Sequence, residues 1–231
     1  RRVELETEQR KLYLAAVVDA REKLRAAKPE DKMTVFAVLM RLREICCDPR
    51  LVADNWTGSS AKLDACLELV TEAVAGGHRI LLFSQFTSML ELLAKRLDEA
   101  GVSHFTLQGS TPKPVRAEQV RRFNQGEADV FLISLRAGGT GLNLTAADIV
   151  IHYDPWWNLA AQNQATDRAY RIGQRNPVQV YRLIAQDTIE EKIVELQQAK
   201  QSLADTVTGG ADGAILSMNP EQLLQLLGEE A

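Results

Sequence analysis

Gln164, Arg168 and Arg171 stand at positions i, i+4 and i+7, a spacing that places all three on one face of a helix. Gly173 is placed to end that helix, leaving Arg171 near its tip. Guanidinium groups held this way suit the charge that develops on a phosphoryl group in transfer. A solvated or salt-bridged face, with Asp167 as local partner, uses the same residues. Ahead of them, Gly138-Gly139-Thr140-Gly141 admits close backbone approach, with Thr140 and Asn143 as polar side chains. Such a loop binds phosphate through its amides, or is simply a tight turn. It is followed by Leu142-Asn143, with no lysine, and no G-x-x-x-x-G-K-[ST] cradle occurs in the chain. The order suits a chain that presents arginine to a phosphate held by another body.

Three further groups stand near these. Ser110-Thr111-Pro112 reads as a hydroxyl cap and first-turn proline, with amides competent for one DNA phosphate. Arg116, Arg121 and Arg122 on the helix that follows read as a solvated face. In Asp154-Pro155-Trp156-Trp157-Asn158, two adjacent tryptophans cannot both face one core, so one packs and the other is partly exposed or meets a partner. His78, His104 and His152 are scattered and read as structural, with no hydrolase triad, paired carboxylates or zinc site around them. Cys46, Cys47 and Cys66 are odd in number and lack C-x-x-C spacing, which reads as reduced thiols.

The elements that must position these residues follow from periodicity. Helices are expected over 7–27 and 31–47, broken by Lys28-Pro29, and Pro49 ends the second. The turn-rich run from Asp54 to Ser60 is a natural boundary. From Lys62 the pattern alternates: a helix over 62–75, a strand over 79–84, a helix from Thr87 to Gly101, a strand over 104–107 and a helix over 113–124. Strands at 129–134 and 148–153 follow, then the arginine helix over 159–171 and a strand over 178–185. Thr188 caps a helix over 188–206, Gly209-Gly210 breaks it, and Asn219-Pro220 starts a small amphipathic helix. Short apolar strands between helices predict a parallel sheet covered on both faces, with ligands gathering at the carboxyl ends of its strands.

Composition excludes little more. The 231 residues are 45% hydrophobic and 25% charged, as in an ordinary globular protein, and no apolar run approaches membrane-spanning length. The net charge of −4 hides an asymmetry. Residues 104–186 carry nine Lys/Arg against six Asp/Glu, whereas 187–231 carry two against nine. The more basic middle block suits a surface that tracks phosphates.

Taken together, these segments resemble the C-terminal helicase lobe of SWI/SNF-like ATPases, double-stranded-DNA translocases of helicase superfamily two. ILLFSQFTSML (80–90) resembles that lobe's motif IV, LISLRAGGTGLNL (132–144) its motif V and QATDRAYRIGQ (164–174) its motif VI. FTLQGSTPKPVR (105–116), LREICCDPRLV (42–52) and TIEEKIVELQQAKQSLADTV (188–207) resemble the intervening and flanking segments. The chain departs from the family pattern at Leu159, which follows Asn158 where proline is usual, at Gln162, where glutamate is common, and at Tyr170, which replaces a frequent histidine.

The resemblance implies an α/β, RecA-like (P-loop NTPase-type) parallel sheet with helices on both faces, plus flanking helical segments. It divides the chain into a leading helical segment (1–60), the lobe (61–186), a bracing helix (187–208) that includes Lys200, and a tail (209–231). Arg168 and Arg171 become arginine fingers acting in trans to a lobe absent from this chain, with Gln164 beside them. Gly139, Gly141 and Asn143 lie near the nucleotide. Ser84, Gln85, Gly109, Ser110, Thr111, Arg136, Thr140, Trp156 and Trp157 are the DNA-contact set. ATP and Mg2+ are expected to be bound mainly by the absent N-terminal lobe, none being expected in this chain alone, which is expected to be monomeric and part of a longer polypeptide. The implied partners are duplex DNA and that lobe, with no membrane. The implied location is cytoplasmic and nucleoid-associated in a prokaryote, or nuclear in a eukaryote. A strand-separating or RNA helicase lobe and a non-catalytic nucleotide-binding domain are the alternatives; Asp167-Arg168 and the R-I-G-Q run distinguish the chain from the Q-R-x-G-R-x-x-R of the former.

Overall fold

The computed structural model describes residues 1–138, 142–156, 159–167, 169, 177–204 and 218–228, with the side chains at 136, 138, 159–161 and 200–204 outside the description. The chain divides into two bodies, one centred on Leu63–Trp156 and Ala160–Leu183, the other on Arg2–Lys62 and the chain from Ile184 onward.

The first body is built on five parallel strands in the order β3-β4-β2-β5-β6. These are β2 (Ile80–Ser84), β3 (His104–Leu107), β4 (Val130–Ser134), β5 (Ile149–His152) and β6 (Gln179–Arg182). Every residue of β2, β4 and β5 is buried, which only a sheet covered on both faces allows. Alternation places Leu81, Phe83, Phe131, Ile133 and Val150 in one core with Phe123, Leu144 and Ala165. The connections are α3 (Ala61–Ala75), α4 (Thr87–Glu99), α5 (Lys113–Asn124), the one-turn α6 (Leu135–Gly138) and α7 (Leu159–Thr166). At the α5–β4 turn, Gly126 has φ +85, and a side chain there would collide with the Arg79 guanidinium.

The second body packs α1 (Thr7–Ala26) on α2 (Lys32–Cys47), with α8 (Ile189–Ala204) and α9 (Pro220–Leu226) completing a core that includes Tyr13, Leu24, Leu39, Ile45, Ile193 and Leu223. The leading and trailing segments, far apart in sequence, thus share one core. A two-stranded ribbon joins them, β1 (Arg2–Val3) beside β7 (Ile184–Ala185). The single strand expected over 178–185 is therefore two, broken at Leu183 so that each half pairs in a different sheet. Side-chain alternation is blind to such a break.

Buried at the root of this body is an ion pair between Lys62 and Glu190, both fully enclosed. Lys62 Nζ donates to Glu190 Oε1 at 2.6 Å, and Glu190 Oε2 accepts from the Ala185 amide at 2.9 Å. Gln9 donates to the Ile45 carbonyl at 2.9 Å and accepts from the Ala61 amide at 3.3 Å. The Tyr13 hydroxyl accepts from the Ile189 amide at 2.7 Å. The starts of α3 and α8 are fixed by side chains from other helices, in keeping with the rule that buried polar groups are paired.

Candidate functional site

The carboxyl ends of the sheet strands carry most of the residues singled out from the sequence. At the end of β2, Ser84 is fully buried and its hydroxyl donates to Asp154 at 2.6 Å. The same carboxylate oxygen accepts from the Gln85 amide at 3.2 Å, and the Phe86 amide donates to the Ser84 hydroxyl at 3.2 Å. Ser84, named among the DNA-contact residues, is thus enclosed and ties β2 to the chain after β5. Gln85 follows it half-buried, with Nε2 enclosed and lacking a hydrogen-bond partner among the described residues. Asp154 was read only as part of the tryptophan corner, and its role in holding Ser84 and Gln85 appears only in three dimensions.

At the end of β3, Gly109 and Ser110 are exposed. Thr111 closes their turn: its hydroxyl accepts from the Gln108 amide at 3.0 Å, and its own amide donates to the Gln108 carbonyl at 3.1 Å. The sequence placed a hydroxyl cap on the following helix. Instead the hydroxyl caps the turn, and α5 begins after Pro112 with no side-chain cap at all. Short local geometry decides this, because a threonine oxygen two residues ahead of a helix satisfies whichever amide the turn brings nearest.

The far end of α5 carries a residue that sequence reasoning missed. Asn124 donates to the Asn143 carbonyl at 2.8 Å and accepts from the Ala146 amide at 3.3 Å, so it clamps the chain entering β5. The Asn143 side chain is exposed. A terminal asparagine on a helix was the only available signal, and it does not distinguish a clamp from a C-cap. After β4, Ser134 accepts from the Ala137 amide at 3.3 Å and starts the single turn of α6, which contains Arg136. Gly139, Thr140 and Gly141 lie outside the described residues, as do Trp157, Arg168 and Arg171.

Beyond β5, Trp156 is half-buried against the sheet core, and its amide donates to Gln162 Oε1 at 3.4 Å. Gln162 is 1% exposed, and its Nε2 has no hydrogen-bond partner among the described residues. On α7, Ala165 is buried while Gln164 is exposed, but the helix expected over 159–171 ends at Thr166, with Asp167 and Ala169 in turns, so Arg168 and Arg171 fall after it in sequence. Thr166, at the end of α7, meets His152 Nε2 at 2.9 Å. Burial, followed by the adjacent Arg182, pushes the His152 pKa down to about 3, so the ring is neutral at any physiological pH.

The structure therefore brings the ends of β2 and β5 together through Ser84, Gln85 and Asp154, and joins α5 to the 143–146 segment through Asn124. Among the described residues no three His, Cys, Asp or Glu side chains gather as a metal site requires. No described helix is long and apolar enough to cross a membrane.

Residues 61–173 match the model of the helicase conserved C-terminal domain. The chain is 38% identical over 231 residues to a putative ATP-dependent helicase/translocase, YwqA, of Bacillus subtilis, covering 97% of this chain and 25% of that protein. It is 37% identical over 228 residues to an uncharacterised ATP-dependent helicase of Mycoplasma genitalium, covering 97% of this chain and 22% of that one. This chain thus spans about a quarter of the length of these curated relatives. The Sulfolobus solfataricus SWI2/SNF2 ATPase core in complex with double-stranded DNA superposes with a TM-score of 0.81 at 30% identity, covering all of this chain and 49% of that one. Sheet, connecting helices and sequence agree, and the chain belongs to the RecA-like C-terminal helicase lobes of the SWI2/SNF2-like ATPases.

Proposed function

We propose that this chain is the second lobe of a DNA-dependent ATPase that moves along duplex DNA and remodels protein–DNA complexes, its substrate ATP being held mainly, with Mg2+, by another lobe of the longer protein. The observation that carries the reading is the convergence at the strand ends. The exposed Gly109-Ser110 turn with the uncapped start of α5, the Gln85 segment and α7 all open from the carboxyl edge of one parallel sheet. Uncapped helix amides and exposed glycine backbone suit DNA phosphates, and Gln85, Ser110, Thr111, Arg136, Thr140, Trp156 and Trp157 supply the side chains. Ser84 acts on the DNA through the Gln85 segment that it holds.

Arg168 and Arg171 follow α7 in sequence and are the fingers that stabilise the transferring phosphoryl group across the interlobe cleft. Gln164 lies on the exposed side of α7, the direction a partner lobe would approach. Gly139, Gly141 and Asn143 stand between DNA and nucleotide, so that motion at one is felt at the other. Support comes from the match to the double-stranded-DNA-bound Sulfolobus core and from the helicase names of the relatives.

The test is ATP hydrolysis by the longer protein with and without duplex DNA, comparing wild type with Arg171→Ala. Duplex-stimulated turnover that the substitution reduces by about 10³-fold or more supports an arginine finger. Turnover indifferent to duplex, or unchanged in the variant, overturns the reading and leaves the lobe a binding platform.

A further inference from the structure

The carboxyl end of β5 bonds to two elements at once. His152 and Asp154 are two residues apart and both are enclosed, at 1% exposure each. Asp154 holds the Ser84 hydroxyl and the Gln85 amide after β2. His152 holds Thr166 on α7, two residues before Arg168 in sequence. The first contact fixes a segment assigned to DNA and the second fixes the helix leading to the fingers.

The geometry at His152 is specific. The Thr166 hydroxyl donates to the Gln162 carbonyl at 3.2 Å, four residues back along its own helix. With its hydrogen directed there, Thr166 Oγ1 accepts from His152, so the proton of the neutral ring is on Nε2. Nδ1 is buried and has no hydrogen-bond partner among the described residues, as suits a bare lone pair and not an N–H. Phe83 lies nearly parallel to the ring at a centroid distance of 5.6 Å, and Tyr153 donates its amide to the Phe83 carbonyl at 2.9 Å, so the imidazole stacks on a strand that is itself held beside it. Gln162, whose carbonyl ends this relay, also accepts from the Trp156 amide through its side chain. A packed imidazole aimed at a single hydroxyl is more than a core histidine filling space.

We infer that His152 is a positioning residue for ATP hydrolysis, fixing the end of α7 through Thr166 so that the finger arginines stand in register with the DNA-contact segment held by Asp154. This rests on the proposed ATPase reading. The inference differs from that reading in assigning the register to a buried hydrogen bond on β5 and not to the glycine-rich loop. Loss of the bond lets the end of α7 shift, and a displacement of about 1 Å in a catalytic group costs on the order of 10²-fold in rate.

The experiment is steady-state ATP hydrolysis by the longer protein at saturating duplex DNA, with His152→Leu, His152→Gln, Thr166→Val, Thr166→Ser and the double variant His152→Leu/Thr166→Val, alongside the thermal midpoint of each. His152→Gln keeps an N–H donor near the Nε2 position, and Thr166→Ser keeps the acceptor. The expected result is a ten- to hundredfold fall in kcat for His152→Leu and Thr166→Val with KM for ATP unchanged. Recovery is expected with His152→Gln and Thr166→Ser, and the double variant is expected to be no slower than the worse single one. Two results overturn the inference while wild type retains duplex-stimulated turnover: Thr166→Val keeping wild-type kcat, or a kcat loss in His152→Leu that Gln fails to restore. If wild type itself shows no duplex-stimulated turnover, the ATPase reading has failed instead, and the inference falls with it. Should His152→Leu not fold, Thr166→Val and its serine counterpart carry the test alone.

Discussion

At the level of single residues, the strand-end chemistry is set by which side chains are enclosed. Asp154 accepts from Ser84 and Gln85 with one oxygen, and leaving a buried hydrogen-bonding group without its partner costs about 1–3 kcal/mol. Asp154→Ala is expected to lower the unfolding free energy by about 2–4 kcal/mol, measured by urea denaturation. Ser84→Ala, which removes the bond to Asp154 and the one accepted from the Phe86 amide but leaves the Gln85 bond, is expected to cost about 1–3 kcal/mol. His152 gives a pH signature. Its pKa is depressed from 6.5 to about 3, so the unfolded chain binds the proton first. The stabilisation is fully present above pH 6.5 and is lost as pH falls toward 3. Between pH 7 and pH 5 wild type is expected to lose about 2 kcal/mol that His152→Gln, which has nothing to titrate, does not lose. Equal losses in the two proteins would show that the ring is accessible to protons in the fold.

Among the elements, the helical body depends on one polar hub. Burial is the largest influence on Lys62 and opposes its charge, but the Glu190 carboxylate, the neighbouring Cys47 and Cys46 and the hydrogen bond to Glu190 together outweigh it and raise the ammonium pKa. Burial also raises the Glu190 carboxyl, and Lys62 offsets only part of that. The Lys62 contribution is therefore present below the ordinary lysine pKa of 10.5 and is lost as pH rises through its higher folded value. Removing one partner is worse than removing both. Lys62→Met is expected to destabilise by about 3–5 kcal/mol, and Lys62→Met/Glu190→Gln to recover most of it, since glutamine still accepts from the Ala185 amide. Thermal midpoints of the three proteins decide the matter; additive losses would mean the pair is uncoupled.

For the molecule as a whole, the charge asymmetry predicts how DNA binding responds to salt. Contacts made by turn amides and hydroxyls release few counterions, whereas each Lys or Arg placed on a phosphate contributes about one to the slope of log K against log salt. Arg136→Ala in the longer protein is expected to weaken duplex binding and reduce that slope by about one. Thr111→Val is expected to weaken binding with the slope unchanged, because it disturbs the Gly109-Ser110 turn and removes no charge. A titration at several salt concentrations, followed by fluorescence anisotropy, separates the two behaviours. An unaltered slope for Arg136→Ala would remove that residue from the DNA face.

The sequence by itself determined the central strands β2, β4 and β5, because burial on both faces demands unbroken apolar runs such as Ile80–Phe83 and Val130–Ile133, and those runs are visible without coordinates. It also marked the strand ends where polar and glycine residues interrupt the apolar pattern. What it could not hold were pairings between residues distant along the chain. Ser84 reads as a hydroxyl after a strand, and only the alignment of β2 with β5 encloses it against Asp154, 70 residues away. Asn124 looks like a helix end until the 143–146 segment meets it. His152 was one of three scattered histidines, and the return of α7 gives it Thr166. The leading and trailing helices are separate amphipathic patterns that become one body through a shared apolar core, the β1–β7 ribbon and the pairing of Lys62 with Glu190, 128 residues apart. Periodicity is a local property of the chain, whereas enclosure and hydrogen-bond partnership are properties of chain segments that meet, and these the tertiary structure alone decided.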